Sequence, residues 1–334
     1  MKRRIVALLL ALSSIFTLAA CNGNQETGSA SGAGSSQLLT IGTATTGGGW
    51  FPMGGALASV LTKYMPNTTV TAIATNASLE NLTSLEGKNL ELGMANSDVV
   101  YQRLKGINGY DPFQEELATL FMMDEIYVTV VVPTDSPYKT FKDLKGKKVG
   151  TGTAGSGFYF MVEAILESYG WTYDDIIPYQ ASNGDQADAL KDGNIDAYCV
   201  LTPGKYGPSA GFVELMTTFD CRLLPFDEEQ LTELPKEKPF YNGSEIPAGW
   251  YEGLEEAVPT FSVNTQLCVR ADMDEELAYE ITKTVFEHVD ELAEVHPNWG
   301  GLTLDLGCTN MILPAHPGAQ RYYEEQGKTV TYLE

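Results

Sequence analysis

The strongest constraint on the fold is an internal repeat with an offset of 108 residues. Residues 41–56 read IGTATTGGGWFPMGGA and residues 149–164 read VGTGTAGSGFYFMVEA, with the same residue at seven of the sixteen positions. In each copy a short β-rich strand leads into a Gly/Thr loop, and an amphipathic helix follows. Because self-similarity at a fixed period indicates repeated structural units, we predict two copies of one strand–loop–helix unit.

The similarity continues more weakly downstream of both copies. Residues 70–98 and 175–204 each read as strand, polar turn, helix and strand, and each ends in a polar loop. The helices end near Gly87 and Gly193, as glycine commonly does at a helix C-terminus. Strands that alternate with helices are typical of parallel α/β sheets. We therefore expect an α/β protein in which each repeat starts a sheet of its own. The alternative is two similar turns in one long sheet.

The N-terminal segment predicts export. Residues 2–4 are basic, and the apolar run after them is too short for a stable membrane span, which is typical of a signal peptide over residues 1–20. The run ends in LAAC, which is similar to the lipobox of bacterial lipoproteins and implies lipidation of Cys21. The alternative is an ordinary signal peptide with an incidental cysteine. Residues 21–37 are rich in Gly and Ser and predict a flexible tether.

Length and charge narrow the class of protein. A chain of 334 residues is longer than one hydrophobic core usually serves, so two lobes are expected. The net charge is −23, and the signal segment contributes only positive charges, so the mature body is still more acidic. Such a body is repelled by nucleic acid and by anionic lipid, which excludes a nucleic-acid role.

The usual enzyme signatures are missing from the sequence. It has three histidines but no H-E-x-x-H, no G-x-S-x-G in the folded body and no calcium loop. The TGTAGSG loop lacks the Lys-Ser/Thr that follows in a phosphate loop. We therefore predict no catalytic residue, cofactor or metal, and a protein that is not an enzyme. The pairing of the four body cysteines is open, and buried free thiols are an equal alternative: Cys199, Cys221, Cys268 and Cys308.

From about residue 38 to the C-terminus, the chain resembles the TAXI family, the extracytoplasmic solute receptors of TRAP-type transporters. The resemblance rests on the order and spacing of six segments. They are LTIGTATTGGGWFPMGGALA, ATNASLENLTSLEGKNLELGMANSDVVYQ, FKDLKGKKVGTGTAGSG, LKDGNIDAYCV, YNGSEIPAGWYEG and ILPAHPGAQRYYEEQG. Two loops depart from the family pattern, at residues 48–51 (GGWF) and 201–206 (LTPGKY), where the solute would be recognised.

The resemblance implies a type II periplasmic-binding-protein fold, with two α/β lobes joined by hinge strands and a ligand cleft between them. We expect residues 38–127 and 262–334 in lobe I and residues 128–261 in lobe II, with hinges in 125–132 and 260–269. The implied role is capture of a small polar solute, such as the C5 compounds glutamate or 2-oxoglutarate, for an ion-driven TRAP permease. The body is expected to act as a monomer. The alternative is a ligand-sensing lipoprotein that signals to a membrane partner.

We predict the ligand contacts in loops at the carboxyl ends of strands, where α/β proteins bind ligands. In lobe I they are Thr46, Gly47, Gly48, Trp50, Phe51, Asn76, Ser78, Asn81, Asn96, Ser97 and Asp98. In lobe II they are Thr153, Gly155, Ser156, Gly157, Tyr198, Thr202 and Lys205.

Each of these residue types also has a purely structural interpretation. Glycines serve turn geometry, Asn76 and Ser78 suit a helix cap, and Trp50 and Phe51 suit a core. A dicarboxylate entering so acidic a body needs Lys205 or the N-termini of two helices. Alternatively the ligand carries an amine, which an acid such as Asp98 would meet.

Overall fold

The protein is described from a computed structural model, which covers residues 37–46, 49–153, 157–205 and 207–333. The predicted signal peptide, Cys21 and nearly all of the predicted tether lie outside these residues. So do four of the candidate ligand residues, namely Gly47, Gly48, Gly155 and Ser156.

Strands and helices alternate through most of the described chain. The strands are β1 (Gln37–Gly42), β2 (Thr68–Ile73), β3 (Leu92–Asn96), β4 (Leu117–Pro133), β5 (Lys148–Gly150), β6 (Ile177–Tyr179), β7 (Ala197–Pro203), β8 (Cys221–Leu223), β9 (Tyr241–Ile246) and β10 (Val258–Arg270). The helices are α1 (Trp50–Tyr64), α2 (Ser78–Glu86), α3 (Ser97–Lys105), α4 (Gly157–Ser168), α5 (Asn183–Lys191), α6 (Ala210–Thr218), α7 (Glu228–Glu237), α8 (Glu275–Glu287), α9 (Val289–Val295), α10 (Leu304–Gly307) and α11 (Pro317–Glu325). Short 3₁₀ turns lie at Phe141–Leu144, Tyr173–Asp175 and Pro297–Gly301.

The internal repeat is visible in the order of the strands, which is β2-β1-β3-β10-β4-β7-β5-β6. On one side of β10 and β4, β1 pairs in parallel with β2 and β3. On the other side, β5 pairs in parallel with β6 and β7. The group β2-β1-β3 thus recurs as β6-β5-β7, which confirms the α/β class and the doubled unit.

The prediction that each repeat starts a separate sheet differs from the structure, because the hydrogen-bonded ladder is continuous across both groups. The reason is the length of two strands, β4 with 17 residues and β10 with 13. One part of β4 pairs with β10, and the part from Ile126 to Val131 pairs with β7. In the same way β10 pairs with β9 near its start and with β3 nearer its end.

Two α/β lobes are therefore joined by two long strands, which is the type II periplasmic-binding arrangement. The hinges predicted at 125–132 and 260–269 lie inside β4 and β10. The predicted lobe boundaries also fall inside these two strands and stay predictions.

Helices pack on both faces of the sheet, because each has an apolar stripe at helical spacing. On one face, α1 contributes Trp50, Met53 and Leu57 to the largest buried cluster. On the other face, α2 and α3 cover the first lobe with residues such as Leu82 and Val99. The helices α5 and α6 cover the corresponding face of the second lobe. With both faces covered, the carboxyl ends of the parallel strands are left for function.

Of the two helix ends predicted at glycines, one agrees with the structure and the other differs in its backbone conformation. Gly193 follows α5 with φ of +69°, as predicted for a terminal glycine. Gly87 follows α2 with φ of −73°, and the left-handed residue there is Lys88, at φ of +58°.

The four body cysteines are free thiols. Among the described helices, none is both long enough and apolar enough to cross a membrane.

Candidate functional site

The candidate site lies where the carboxyl ends of the two parallel groups meet. Asn96, the last residue of β3, pairs with Thr265 of β10, and Pro203, the last residue of β7, pairs with Ile126 of β4. Since β10 and β4 are antiparallel, β3 and β7 run in opposite directions and approach the junction from opposite sides. The carboxyl ends of β3 and β7 therefore meet at one junction between the lobes.

Two close contacts join the lobes across this junction. A Cβ added at Gly49 would lie 2.7 Å from the Gly207 carbonyl oxygen, so the start of α1 touches the loop after β7. A Cβ added at Gly157 would lie 3.4 Å from Cγ2 of Val99, so the start of α4 touches α3. Gly157 follows Gly49 by 108 residues, so the two contacts are made by equivalent glycines at the starts of α1 and α4. The partners, Gly207 and Val99, follow β7 and β3, each of which pairs in parallel with the first strand of its repeat, β5 or β1.

A third connection near the first contact involves the turn before α10. The Asn298 side chain is buried, and its Nδ2 donates to the Pro203 carbonyl oxygen at 2.9 Å. The neighbouring Trp299 donates through Nε1 to the Met53 carbonyl oxygen of α1 at 3.1 Å. This turn therefore bridges α1 and the loop after β7. Sequence reasoning missed Asn298, because a turn sequence alone does not show which distant carbonyl it meets.

The second contact is extended by aromatic residues. The rings of Tyr110 and Phe160 meet edge to face with centroids 5.5 Å apart. The Tyr241 hydroxyl, at the start of β9, donates to Oδ2 of Asp98 at 3.4 Å. Sequence reasoning also missed Tyr241, which lies 143 residues from Asp98. Contacts on both sides mean that the described lobes are in a closed arrangement.

Several buried polar atoms at this junction have no hydrogen-bond partner. They are Asn96 Oδ1 at the end of β3, Ser97 Oγ at the start of α3 and Thr151 Oγ1 directly after β5. Trp50 Nε1, at the start of α1, is also buried without a hydrogen-bond partner. Buried polar groups in folded proteins are nearly always paired, so unpaired atoms at strand carboxyl ends indicate a place where a ligand supplies the partner.

Asp98 is the acidic group of the site. Its side chain is buried at the start of α3, and Oδ1 accepts from the Val99 backbone N–H at 2.8 Å. Burial raises the pKa of Asp98 to about 6, against the bonds from Val99 and Tyr241 that lower it. Asp124 of β4 is similar, since burial raises its pKa to about 6 while the Thr265 hydroxyl donates to it. The charge built into this region is therefore negative.

Three candidates of the first lobe are held by internal hydrogen bonds. Asn81 is fully buried; its Nδ2 donates to the carbonyl oxygens of Thr43 and Met94, and its Oδ1 accepts from Thr75. The Ser78 hydroxyl accepts from the Asn96 backbone N–H at 3.0 Å. The exposed Asn76 donates to Glu80 of α2. These bonds tie α2 to β1 and β3.

The other described candidates of the first lobe differ in exposure. Trp50 is buried in the main core, which is its structural interpretation, although its indole N–H is unpaired. Phe51 is half-buried and Thr46 is exposed at the edge of the loop. Asn96, Ser97 and Asp98 are the three that the structure brings together in one buried segment.

In the second lobe, Thr202 is buried and shares a hydrogen bond with the Thr129 hydroxyl at 2.7 Å. Tyr198 lies in the core under α5 and α6. Thr153 and Lys205 are exposed, and Gly157 is half-buried at the contact with Val99. As ligand contacts, all the candidates in both lobes stay predictions.

Arg103, a basic residue on the same helix as Asp98, already pairs with other groups. Arg103 of α3 is buried, but its guanidinium pairs with Glu86 and donates to Thr83. Over the residues that the structure describes, no group of three His, Cys, Asp or Glu side chains is placed to hold a metal ion. The arrangement suits hydrogen bonding of an organic solute.

Comparison with known proteins gives the following similarities. The model of the NMT1-like family matches residues 41–327. A curated protein of Escherichia coli (strain K12), named for binding aliphatic sulfonates, is 32% identical over 74 residues. That match covers 22% of this chain and 23% of the relative, so it spans about a quarter of the relative's length.

Solved structures are similar at low identity. The periplasmic aliphatic sulphonate binding protein SsuA from Escherichia coli is 18% identical, with 78% of this chain and 79% of that chain covered and a TM-score of 0.46. A Streptococcus mutans structure, on glutathione import via GshT and the cystine ABC importer TcyBC, is 12% identical. It covers 79% of this chain and 95% of that chain, with a TM-score of 0.49.

Proposed function

Because this chain belongs to the NMT1-like family, we propose that it is an extracytoplasmic binding protein whose two lobes close on a small polar solute. The observation that carries the proposal is the pair of contacts that join the lobes, Gly49 with Gly207 and Gly157 with Val99. The unpaired buried atoms of Asn96 and Ser97 lie in the segment that leads into Val99. Such a site can bind a polar ligand from both sides, and it needs no catalytic group.

The proposed cycle uses the two long strands as hinges. In the open form the two contacts are broken and the carboxyl ends of β3 and β5 are exposed. A solute binds there, β4 and β10 flex, and closure removes water from the ligand and from its hydrogen bonds. A ligand drives this change only by binding the closed form more tightly than the open form.

For the solute, we propose a C5 dicarboxylate or an acidic amino acid such as glutamate. Support comes from the resemblance to the TAXI family and from the helices at the site. Both α1 and α4 begin directly after the Gly/Thr loops, and a helix N-terminus offers unpaired N–H groups and partial positive charge to a carboxylate. The names of the relatives concern other solutes, which belong in the same screen.

The screen uses the mature protein after unfolding and refolding, so that any co-purified solute is removed. Thermal shift and calorimetry then test C5 dicarboxylates, amino acids and alkanesulfonates. We expect at least one of them to raise the melting temperature with a stoichiometry near one. If no small solute stabilises the refolded protein, the binding role is wrong.

For the partner, we propose a TRAP-type permease, on the resemblance of the six segments. Uptake into cells or vesicles that contain the protein and its candidate permease separates this from an ABC importer. Dependence on a sodium or proton gradient supports the proposal, whereas uptake that follows ATP and ignores the gradient contradicts it.

We also propose that Cys21 carries a lipid anchor and that residues 22–36 tether the body outside the cell membrane. Labelling with a fatty acid analogue and detergent partitioning test this. The Cys21→Ser variant is expected to lose the label, whereas Cys221→Ser keeps it. A label on the Cys21→Ser variant would contradict the assignment.

A further inference from the structure

The feature of interest is a buried carboxylate at the interface of the lobes. Asp98 is 1% exposed, and its neighbour Val99 forms the contact with Gly157 of the second lobe. Oδ1 accepts from the Val99 N–H, and Oδ2 meets the Tyr241 hydroxyl at 3.4 Å, a long bond from a neutral donor. No ion pair between Asp98 and a Lys, Arg or His forms within the described ranges.

The two residues before Asp98 also carry buried polar atoms without a hydrogen-bond partner. Asn96 is 8% exposed and Ser97 is 3% exposed, and Oδ1 of the first and Oγ of the second have no partner. Both can accept hydrogen bonds. Three acceptor groups thus follow one another in the segment 96–98.

The direction of the Asn96 side chain follows from the strand register. Asn96 pairs with Thr265 and Tyr241 pairs with Val263, in antiparallel ladders on the same strand, β10. Directly opposed residues share a face, and positions two apart on a strand share a face. Asn96 and Tyr241 therefore project from the same face, and the Tyr241 hydroxyl contacts Asp98. The unpaired amide is directed to the side where the carboxylate lies.

Arg103 does not neutralise the Asp98 carboxylate. Arg103 lies on the same helix, but its terminal nitrogens bond to Glu86 and Thr83. A buried, ionised carboxylate without a counter-charge is strongly unfavourable, so a positive group from the ligand would be bound favourably here.

We propose that the solute carries a protonated amine, held by the carboxylate of Asp98 with Asn96 Oδ1 and Ser97 Oγ as further acceptors. An ammonium group has three N–H donors, which equals the three acceptor groups of the segment. The inference rests on the proposed binding function and narrows its substrate class. Among the C5 compounds considered above, it selects glutamate over 2-oxoglutarate, because only glutamate has the amine.

The test compares matched probes with and without an amine. Calorimetry measures L-glutamate against 2-oxoglutarate, and 4-aminobutyrate against butyrate, on the ligand-free mature protein. In the wild type, the amine member of a pair that binds is expected to bind at least about tenfold more tightly, in line with a charged hydrogen-bonded contact. In Asp98→Asn this preference is expected to disappear, because the amine member binds more weakly while its analogue is unchanged.

The Asp111→Asn variant is the control, since it removes one negative charge at an exposed position and is expected to keep the wild-type preference. Circular dichroism checks that both variants fold. Three results overturn the inference and leave solute binding intact. They are equal affinity for both members of a pair in the wild type, an equal loss for both in Asp98→Asn, and discovery that the bound solute contains no amine. Absence of binding by any solute instead removes the proposed function itself, and the inference with it.

Discussion

The most informative single change is Asp98→Asn in the ligand-free protein, because its effect on stability depends on pH. Burial raises the pKa of Asp98 to about 6 from an ordinary value of 3.8. One pKa unit corresponds to about 1.4 kcal/mol, so the shift corresponds to about 3 kcal/mol.

The sign follows from the direction of the shift. Because the pKa in the folded protein is above that in the unfolded chain, the protonated form favours folding. The contribution of Asp98 to the free energy of unfolding is complete below pH about 4 and is lost as the pH rises through about 6. Asparagine has nearly the same shape and does not titrate. We therefore expect the variant to be more stable than the wild type at neutral pH.

The assay is urea unfolding, followed by tryptophan fluorescence at intervals from pH 4 to pH 8. Other titrating groups, including Asp124, are present in both proteins, so their effect cancels in the difference. The variant is expected to gain stability relative to the wild type as the pH rises, by up to about 3 kcal/mol at pH 8. The two groups near the carboxylate, Tyr110 and Tyr241, stay neutral over this range because their pKa values are raised.

The result that would refute the reasoning is a difference between variant and wild type that does not change with pH. That outcome would mean that Asp98 is solvated or already paired in the folded protein. The exposed Asp111→Asn variant should show a difference near zero, with no step centred near pH 6.

Two further changes test the closed arrangement and the internal bonds. Gly49→Val places a side chain against the Gly207 carbonyl oxygen, so we expect a more open form by small-angle scattering. Because only the closed fraction binds tightly, ligand binding should be at least about tenfold weaker. The control is Gly55→Ala in α1, where the added methyl group meets no atom within 4 Å and should change neither the shape nor the affinity. Asn81→Ala removes three buried hydrogen bonds, two to the carbonyl oxygens of Thr43 and Met94 and one from Thr75, and should lower the free energy of unfolding by about 2–5 kcal/mol in urea. Ligand affinity of the folded Asn81→Ala protein should stay the same, and a loss of affinity without a loss of stability would instead place Asn81 in the site.

Much of the architecture could be predicted from periodicity and from the repeat. The two strand–loop–helix units appear as β1 with α1 and as β5 with α4, and the hinge segments lie in β4 and β10. These features are local, because a strand or an amphipathic helix is encoded in the spacing of its own apolar residues. What this pattern did not encode is that β4 and β10 join both groups into one ladder. Strand pairing depends on partners far away in the chain.

The candidate site likewise has one part that the sequence predicts and another that depends on the tertiary structure. The repeat by itself predicted two strand–loop–helix units with glycine loops 108 residues apart. Only the tertiary structure decided which polar residues are free to bind. Asn81 of α2 and Thr202 near the end of β7 are buried polar residues, as Asn96 is, yet their polar atoms meet partners on other elements while Oδ1 of Asn96 does not. A hydrogen bond is satisfied by whatever atom lies within about 3 Å, and that atom comes from residues that the fold, not the local sequence, brings close.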